Sequence, residues 1–191
     1  MIQSITRERW SEAQLAERAL HTFEYERGRD HYDQAYAKMF KYLGMDRNQE
    51  GKSVLEVGPA DFPALAYCRN YKGIIVEPMS SDYLPTLCRF CGIELLTQPL
   101  EDLELSRMDE VWIFNVMQHV IDPEVFIDKC KSIGRMIRFF EPVDCGTCEY
   151  HPHTFTQEDF ERWFGDSVRR YTDRLEGFFD GDCVYGTFQC A

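Results

Sequence analysis

The chain has 191 residues, 44% of them hydrophobic, which fills one α/β domain and leaves too little for two. Its formal net charge is −12 and its pI near 4.8, a balance that repels phosphate backbones and anionic lipid and disfavours nucleic acid and membrane as partners. The cluster Arg162, Arg169, Arg170 and Arg174 is the one candidate basic patch, and it reads equally well as a solvated face.

The opening MIQSITRERW lacks the apolar core of a secretory signal, and no run approaches a membrane span. A cytosolic protein is expected, with its eight cysteines mostly reduced. Residues 6–44 read as helices. Trp10, Ala13, Ala16, Leu20 and Phe23 form one stripe at helical spacing, and Tyr32, Tyr36, Met39, Phe40 and Leu43 form a second. The polar stretch 26–30 bends the chain between them, and Gly44 suits a C-terminal cap.

Beyond Gly51 strands and helices alternate. Strands are expected at 53–57, 73–76, 93–97, 109–114 and 136–140, and helices at 62–68, 80–91, 123–133 and 156–164. Pro63 falls in a first helical turn, where its missing N–H costs nothing. The TQED at 156–159 is a capping box. Two strand-like segments, 168–175 and 183–190, close the chain around the turn signal Asp180-Gly181. Alternation predicts a mostly parallel sheet with helices on both faces, and the closing hairpin adds one antiparallel strand near an edge. The chain thus divides as N-terminal helices (1–50), a cofactor-binding core (51–165) and a closing β-hairpin (166–191), all in one domain.

Ligands of such sheets bind beyond the carboxyl ends of the strands. The first strand ends at Glu56-Val57-Gly58, in VLEVGPADFPAL, and the second at Val76-Glu77. Glu77 stands nineteen residues past Gly58, where a carboxylate meets ribose hydroxyls. A dinucleotide fingerprint needs glycine at 58, 60 and 63, but Ala60 and Pro63 occupy two of these positions. NAD is therefore disfavoured. A nucleoside without phosphates asks less of the loop: a tight turn, room for a sulfonium, and an acid for an ammonium group, which Glu56 can supply. An ordinary strand-to-helix turn with Glu56 and Glu77 solvated reads the loop as well.

The stretches VLEVGPADFPAL, IIVEP, PLEDLEL, NVMQHVIDPEVF and HPHTFTQEDFERWF fall in the order seen in class I S-adenosylmethionine-dependent methyltransferases. The chain resembles the small-molecule methyltransferases of that class, with their VLEVGCGxG, NVLEHVxDP and HxxxFT patterns, over residues 50 to 165. The resemblance implies a Rossmann-like, seven-stranded mixed sheet with helices on both faces, its last, inserted strand antiparallel, beneath an N-terminal helical lid. It implies methyl transfer from S-adenosylmethionine to a small-molecule acceptor, leaving S-adenosylhomocysteine. Carried over by residue, Glu56, Gly58 and Ala60 would line the methionine end. Glu77 would bind the ribose beside Pro78 and Met79. Leu100 and Glu101 would flank the adenine, and Asn115 and Val116 would lie under the cofactor. The lid would bring Tyr32 or Arg29 to the carboxylate.

The chain departs from the family pattern at Ala60 and Phe62, which replace the second and third glycines, at Pro99 before Glu101, and at Gln118, which replaces a glutamate. These departures bear on affinity more than on fold. They also keep open a binding or regulatory protein that has lost catalysis, and an enzyme that uses the cofactor for other chemistry. His119, after the fourth strand, and His153, in a loop after the fifth, are the candidate catalytic residues as general bases. Each also reads as a hydrogen-bonding structural histidine. No metal is assigned; the local set Cys145, Cys148, His151 and His153 is the alternative, at spacing tighter than a zinc finger's.

Overall fold

A computed structural model describes residues 2–24, 29–171 and 182–191, with the side chains of 20–24 and 29–31 left out. The Leu20, Phe23 and Arg29 side chains, residues 26–28 of the bend, Arg174 and the Asp180-Gly181 turn lie outside what the structure describes. Helices α1 (Arg7–Glu24) and α2 (Arg29–Tyr42) precede the alternating region. There follow β1 (Ser53–Val57), β2 (Lys72–Val76), α3 (Leu84–Cys91), β3 (Glu94–Leu96), β4 (Met108–Phe114), α4 (Pro123–Ile133) and β5 (Gly134–Pro142). The chain closes with α5 (Gln157–Phe164), β6 (Val168–Tyr171) and β7 (Cys183–Gln189). No helix among the described residues is long and apolar enough to cross a membrane.

The seven strands run in the order β3-β2-β1-β4-β5-β7-β6. β7 inserts between β5 and β6 and runs antiparallel to both; the other pairings are parallel. Strand alternation sorts the core by face. Leu55, Val57, Val111, Ile113, Ile137 and Phe139 pack with α4 and α5 through Phe126, Phe160 and Phe164. Val54, Ile75, Trp112, Phe114 and Phe140 pack with α2 and α3 through Tyr36, Met39, Phe40 and Leu84. Burial on both faces explains why the central strands read as apolar runs rather than as polar–apolar alternation.

Local signals act as expected at several ends. Thr156 caps α5, and Asp159 completes the capping box by returning to the Thr156 amide. Asp122 caps α4 by accepting from the Glu124 and Val125 amides, with Pro123 in the first turn. The expected helix over 62–68 is corrected to a single 3-10 turn, Ala64–Tyr67, with Pro63 extended before it. The reason lies in tertiary packing. The second stripe lays Tyr36, Met39 and Phe40 of α2 on this sheet face, with Phe40 edge-on to Trp112 at 5.7 Å. Tyr36 packs against Tyr67 and donates its hydroxyl to the Phe62 carbonyl at 2.6 Å. The face a β1–β2 crossover helix would cover is thus occupied.

The arginine cluster is balanced by acids. Arg162 pairs with Glu124 and Asp159, and Arg170 with Asp182 and Asp144. Arg169 donates to the Asp166 and Val168 carbonyls. These contacts favour the solvated-face reading over a phosphate-binding surface.

Candidate cofactor and acceptor site

The carboxyl ends of β1, β2 and β4 open into a cavity of about 550 Å³, within the roughly 300–1,000 Å³ of small-molecule sites. Its floor is built from left-handed backbone. Gly58 (φ 61°), Ala60 (φ 50°) and Asn115 (φ 63°) all line it. At Gly58 a Cβ would stand 3.0 Å from both γ-carbons of Val116, so the glycine is required by space as well as by φ. Ala60 tolerates its strain because its N–H donates to Glu77 Oε2 at 2.9 Å. The other Glu77 oxygen accepts from the Met79 amide at 2.9 Å, and Gly58 N–H bonds the Val76 carbonyl at 2.8 Å. Glu77 therefore ties the turns after β1 and β2 together from their common wall. Ala60→Gly is expected to leave stability unchanged or raise it by up to about 1 kcal/mol, as relieved strain outweighs added chain entropy. A thermal melt checks this, and a clear loss of stability would refute the strain at Ala60.

Of the candidate cofactor residues, Gly58, Ala60, Glu77, Pro78, Met79, Leu100, Glu101, Asn115 and Val116 line this one cavity. Glu56 does not. It is 1% exposed, beneath the floor, and its two oxygens accept from the Ala64 and Leu65 amides at 2.7 and 2.8 Å. The sequence expectation that Glu56 meets an ammonium group is corrected: an inward-facing residue of β1 spends its charge on the 3-10 turn. Glu101 carries a buried oxygen, Oε1, without a hydrogen-bond partner among the described residues, and burial raises its pKa.

A second buried acid, Glu141 at the end of β5, was not singled out from sequence. It is fully buried and accepts from the Val116 and Met117 amides at 2.9 to 3.1 Å, which fixes the turn after β4 under the cavity. Its only sequence signal was an acid at the carboxyl end of an apolar strand. Burial raises Glu56 to about 7 and Glu141 to about 8 against their amide donors. Each exceeds the ordinary carboxylate value, so the native state binds more protons than the unfolded chain as pH rises past about 4.5. Stability is expected to fall between pH 5 and 8, by up to about 1.4 kcal/mol per pH unit per group. Urea denaturation at several pH values checks this; constant or rising stability over that range would contradict it.

The N-terminal helical lid that the resemblance implied borders the cavity through Tyr32 and through α1 residues not named from sequence. Trp10, Gln14, Glu17 and Arg18 of α1 line it, the first three at spacing that shares one helix face. Trp10 Nε1 donates to the His119 carbonyl at 2.9 Å, and Arg9 to the Cys148 carbonyl at 3.1 Å, holding α1 over the loops. Tyr32, Phe62 and Tyr83 make an aromatic wall in which Phe62 stacks on Tyr32 at 4.2 Å, interplanar angle 18°. Phe62 borders the cavity without filling it.

His119 and His153 part company. His119 lines the cavity and pairs through Nδ1 with Glu17 Oε2 at 2.5 Å. His153 is 4% exposed, lies outside the cavity lining, and bonds the Val120 carbonyl through Nε2 at 2.9 Å. Its expectation as a base is corrected to a structural one, since the ring is spent on a buried carbonyl and burial lowers its pKa. The Cys145, Cys148, His151, His153 set does not assemble either. Both cysteines are exposed, His153 points at Val120, and His151 packs edge-on to His119 at 4.8 Å.

No family model matches the chain, and no curated protein is significantly similar to it in sequence. Solved structures are similar in fold. The 1,6-didemethyltoxoflavin-N1-methyltransferase of Burkholderia thailandensis, solved with 1,6-didemethyltoxoflavin and S-adenosylhomocysteine, superposes with a TM-score of 0.68 at 13% identity, over 100% of this chain and 95% of that one. The plantazolicin methyltransferase BamL, solved with a triazolic desmethylPZN analog and S-adenosylhomocysteine, gives 0.59 at 10% identity, over 95% and 96%. The N-methyltransferase NodS of Bradyrhizobium japonicum gives 0.56 at 16%, over 88% and 97%. With its sheet order and inserted antiparallel β7, this chain has the fold of the class I S-adenosylmethionine-dependent methyltransferases.

Proposed function

We propose that the protein binds S-adenosylmethionine in this cavity and transfers its methyl group to a small-molecule acceptor. The observation that carries the reading is the convergence of Gly58, Ala60, Glu77, Met79, Glu101 and Asn115 on one cavity at the carboxyl edge of β1, β2 and β4. Glu77 stands in the cavity wall beside the turns after β1 and β2, the position from which a carboxylate meets ribose hydroxyls. Glu101 Oε1 supplies a buried acceptor for the adenine amino group. With Glu56 committed below the floor, the methionine end rests on the backbone of Gly58 to Ala60, with Arg18 as a cation for its carboxylate. The three neighbours above are methyltransferases, two of them solved with S-adenosylhomocysteine, which agrees with this cofactor.

The acceptor enters under α1, against Trp10, Tyr32 and Tyr83. Its nucleophilic atom donates a lone pair to the methyl carbon as the carbon–sulfur bond breaks, and that bonding pair passes to sulfur. S-adenosylhomocysteine leaves, and the acceptor proton goes to a base at the cavity wall, for which His119 is the nearest candidate. Most of the acceleration then comes from in-line positioning and the sulfonium's own charge.

Titration calorimetry with S-adenosylmethionine tests the reading, with one site per chain expected. No heat and no thermal shift at millimolar cofactor would sink it. Binding without methylated product from any acceptor pool would instead favour a regulatory protein.

A further inference from the structure

We infer that Glu17, His119 and His151 form a binding site for a zinc-class divalent cation at the mouth of the cavity. The three residues come from separate parts of the chain: α1, the 3-10 turn after β4, and the loop after β5. Their donor atoms lie within 4.8 Å of one another, a spread that a small side-chain rotation closes onto bonds of about 2.0–2.2 Å. The side chains of His119 and Glu17 are only 12% and 14% exposed, so the donors are largely held in place. Trp10 and Gln14, on the same helix face as Glu17, bond the His119 carbonyl at 2.9 and 3.4 Å and fix α1 in register with the turn.

Two imidazoles and one carboxylate select a borderline transition metal over magnesium or calcium, which prefer all-oxygen sets. Three protein ligands leave coordination positions open. Glu17 and His119 line the cavity, which puts the site at its wall. An acceptor with an oxygen or nitrogen donor suits the open positions, the one part of the inference that rests on the methyl-transfer reading; with metal bound, the His119 ring is a ligand and no longer the base for the acceptor proton. The simpler account of the same contacts is a Glu17–His119 hydrogen bond that latches α1, with His151 as packing.

Cobalt(II) titration of the chelator-stripped full chain separates the two. One equivalent is expected to bind with a visible absorption spectrum, to be displaced by zinc, and to resist millimolar magnesium. His151→Ala and Glu17→Gln are each expected to weaken cobalt binding by at least about 10-fold. Cys145→Ser with Cys148→Ser is expected to leave it unchanged. Far-ultraviolet spectra verify that each variant folds. Metal should also slow hydrogen exchange in residues 7–19, because Glu17 ties α1 to both loops. Absence of a cobalt spectrum overturns the site, as does unaltered binding in either ligand variant or its loss in the cysteine variant. Cofactor calorimetry on the same samples keeps the two readings apart. Cobalt without cofactor heat removes the methyltransferase reading alone, and cofactor heat without cobalt removes the metal site alone.

Discussion

Glu110→Ala is expected to cost about 3–5 kcal/mol of stability, the usual penalty for stranding a buried charge. Glu110 sits in β4 at 2% exposure and receives four donors. Arg138 of β5 reaches it with Nε at 2.7 Å and Nη2 at 3.2 Å, while Lys52 and Trp112 each donate at 2.8 Å. These bonds hold its carboxyl below the usual carboxylate range although burial opposes them. Arg138, itself 9% exposed, also donates to the Leu43 carbonyl and the Thr187 hydroxyl. Removing Glu110 leaves this guanidinium without its counter-charge inside the sheet. Urea denaturation reads the loss. Glu110→Met with Arg138→Met is expected to recover much of it, because two apolar side chains avoid the desolvation of both ions. A single variant as stable as the parent would show the pair to be spectator charge. The sign with pH follows from the lowered pKa: this contribution is present above the ordinary carboxylate value and is lost in acid. With Glu56 and Glu141 acting in the opposite sense, maximal stability is expected near pH 5.

The second large effect concerns the cofactor. Glu77→Ala is expected to weaken S-adenosylmethionine binding by about 100-fold, or ~2.7 kcal/mol. That size corresponds to losing charge-assisted bonds to the ribose together with the clamp on Ala60 and Met79. Glu77→Gln divides these contributions. It keeps one acceptor but turns an NH₂ toward a backbone N–H that Glu77 now satisfies, so an intermediate affinity is expected. Calorimetry with S-adenosylhomocysteine and with adenosine reads the ribose share, since adenosine lacks the methionine end. An alanine variant that binds both ligands as the parent does would leave Glu77 a purely structural clamp.

Several features could be read from sequence because they depend on near neighbours. Apolar runs bounded by glycine and polar turns located the strands, as at Ser53–Val57, and Thr156 with Asp159 located the start of α5. The spacing from Gly58 to Glu77 put a carboxylate beside the first turn, because a parallel crossover brings the ends of adjacent strands together. Period and spacing are local quantities, and one sequence carries them.

The chain alone could not say which way a carboxylate points or what else claims it. Glu56 and Glu77 both end strands, yet one lies under the floor on the Ala64 and Leu65 amides and the other in the cavity wall. The difference is set by α2, which occupies the sheet face above the 3-10 turn and draws the chain over Glu56. The same holds for His119, His151 and His153. Spacing offered His151 and His153 a loop site with Cys145 and Cys148 only as the alternative to no metal, whereas packing turned His153 into the core and brought His119 and His151 to Glu17, over a hundred residues away in the chain. Sequence thus determined the strands, the caps and the place of the cavity edge. Only tertiary packing decided which carboxylates lie beneath the cavity and which stand in its wall, because that depends on the desolvation and donors each one meets.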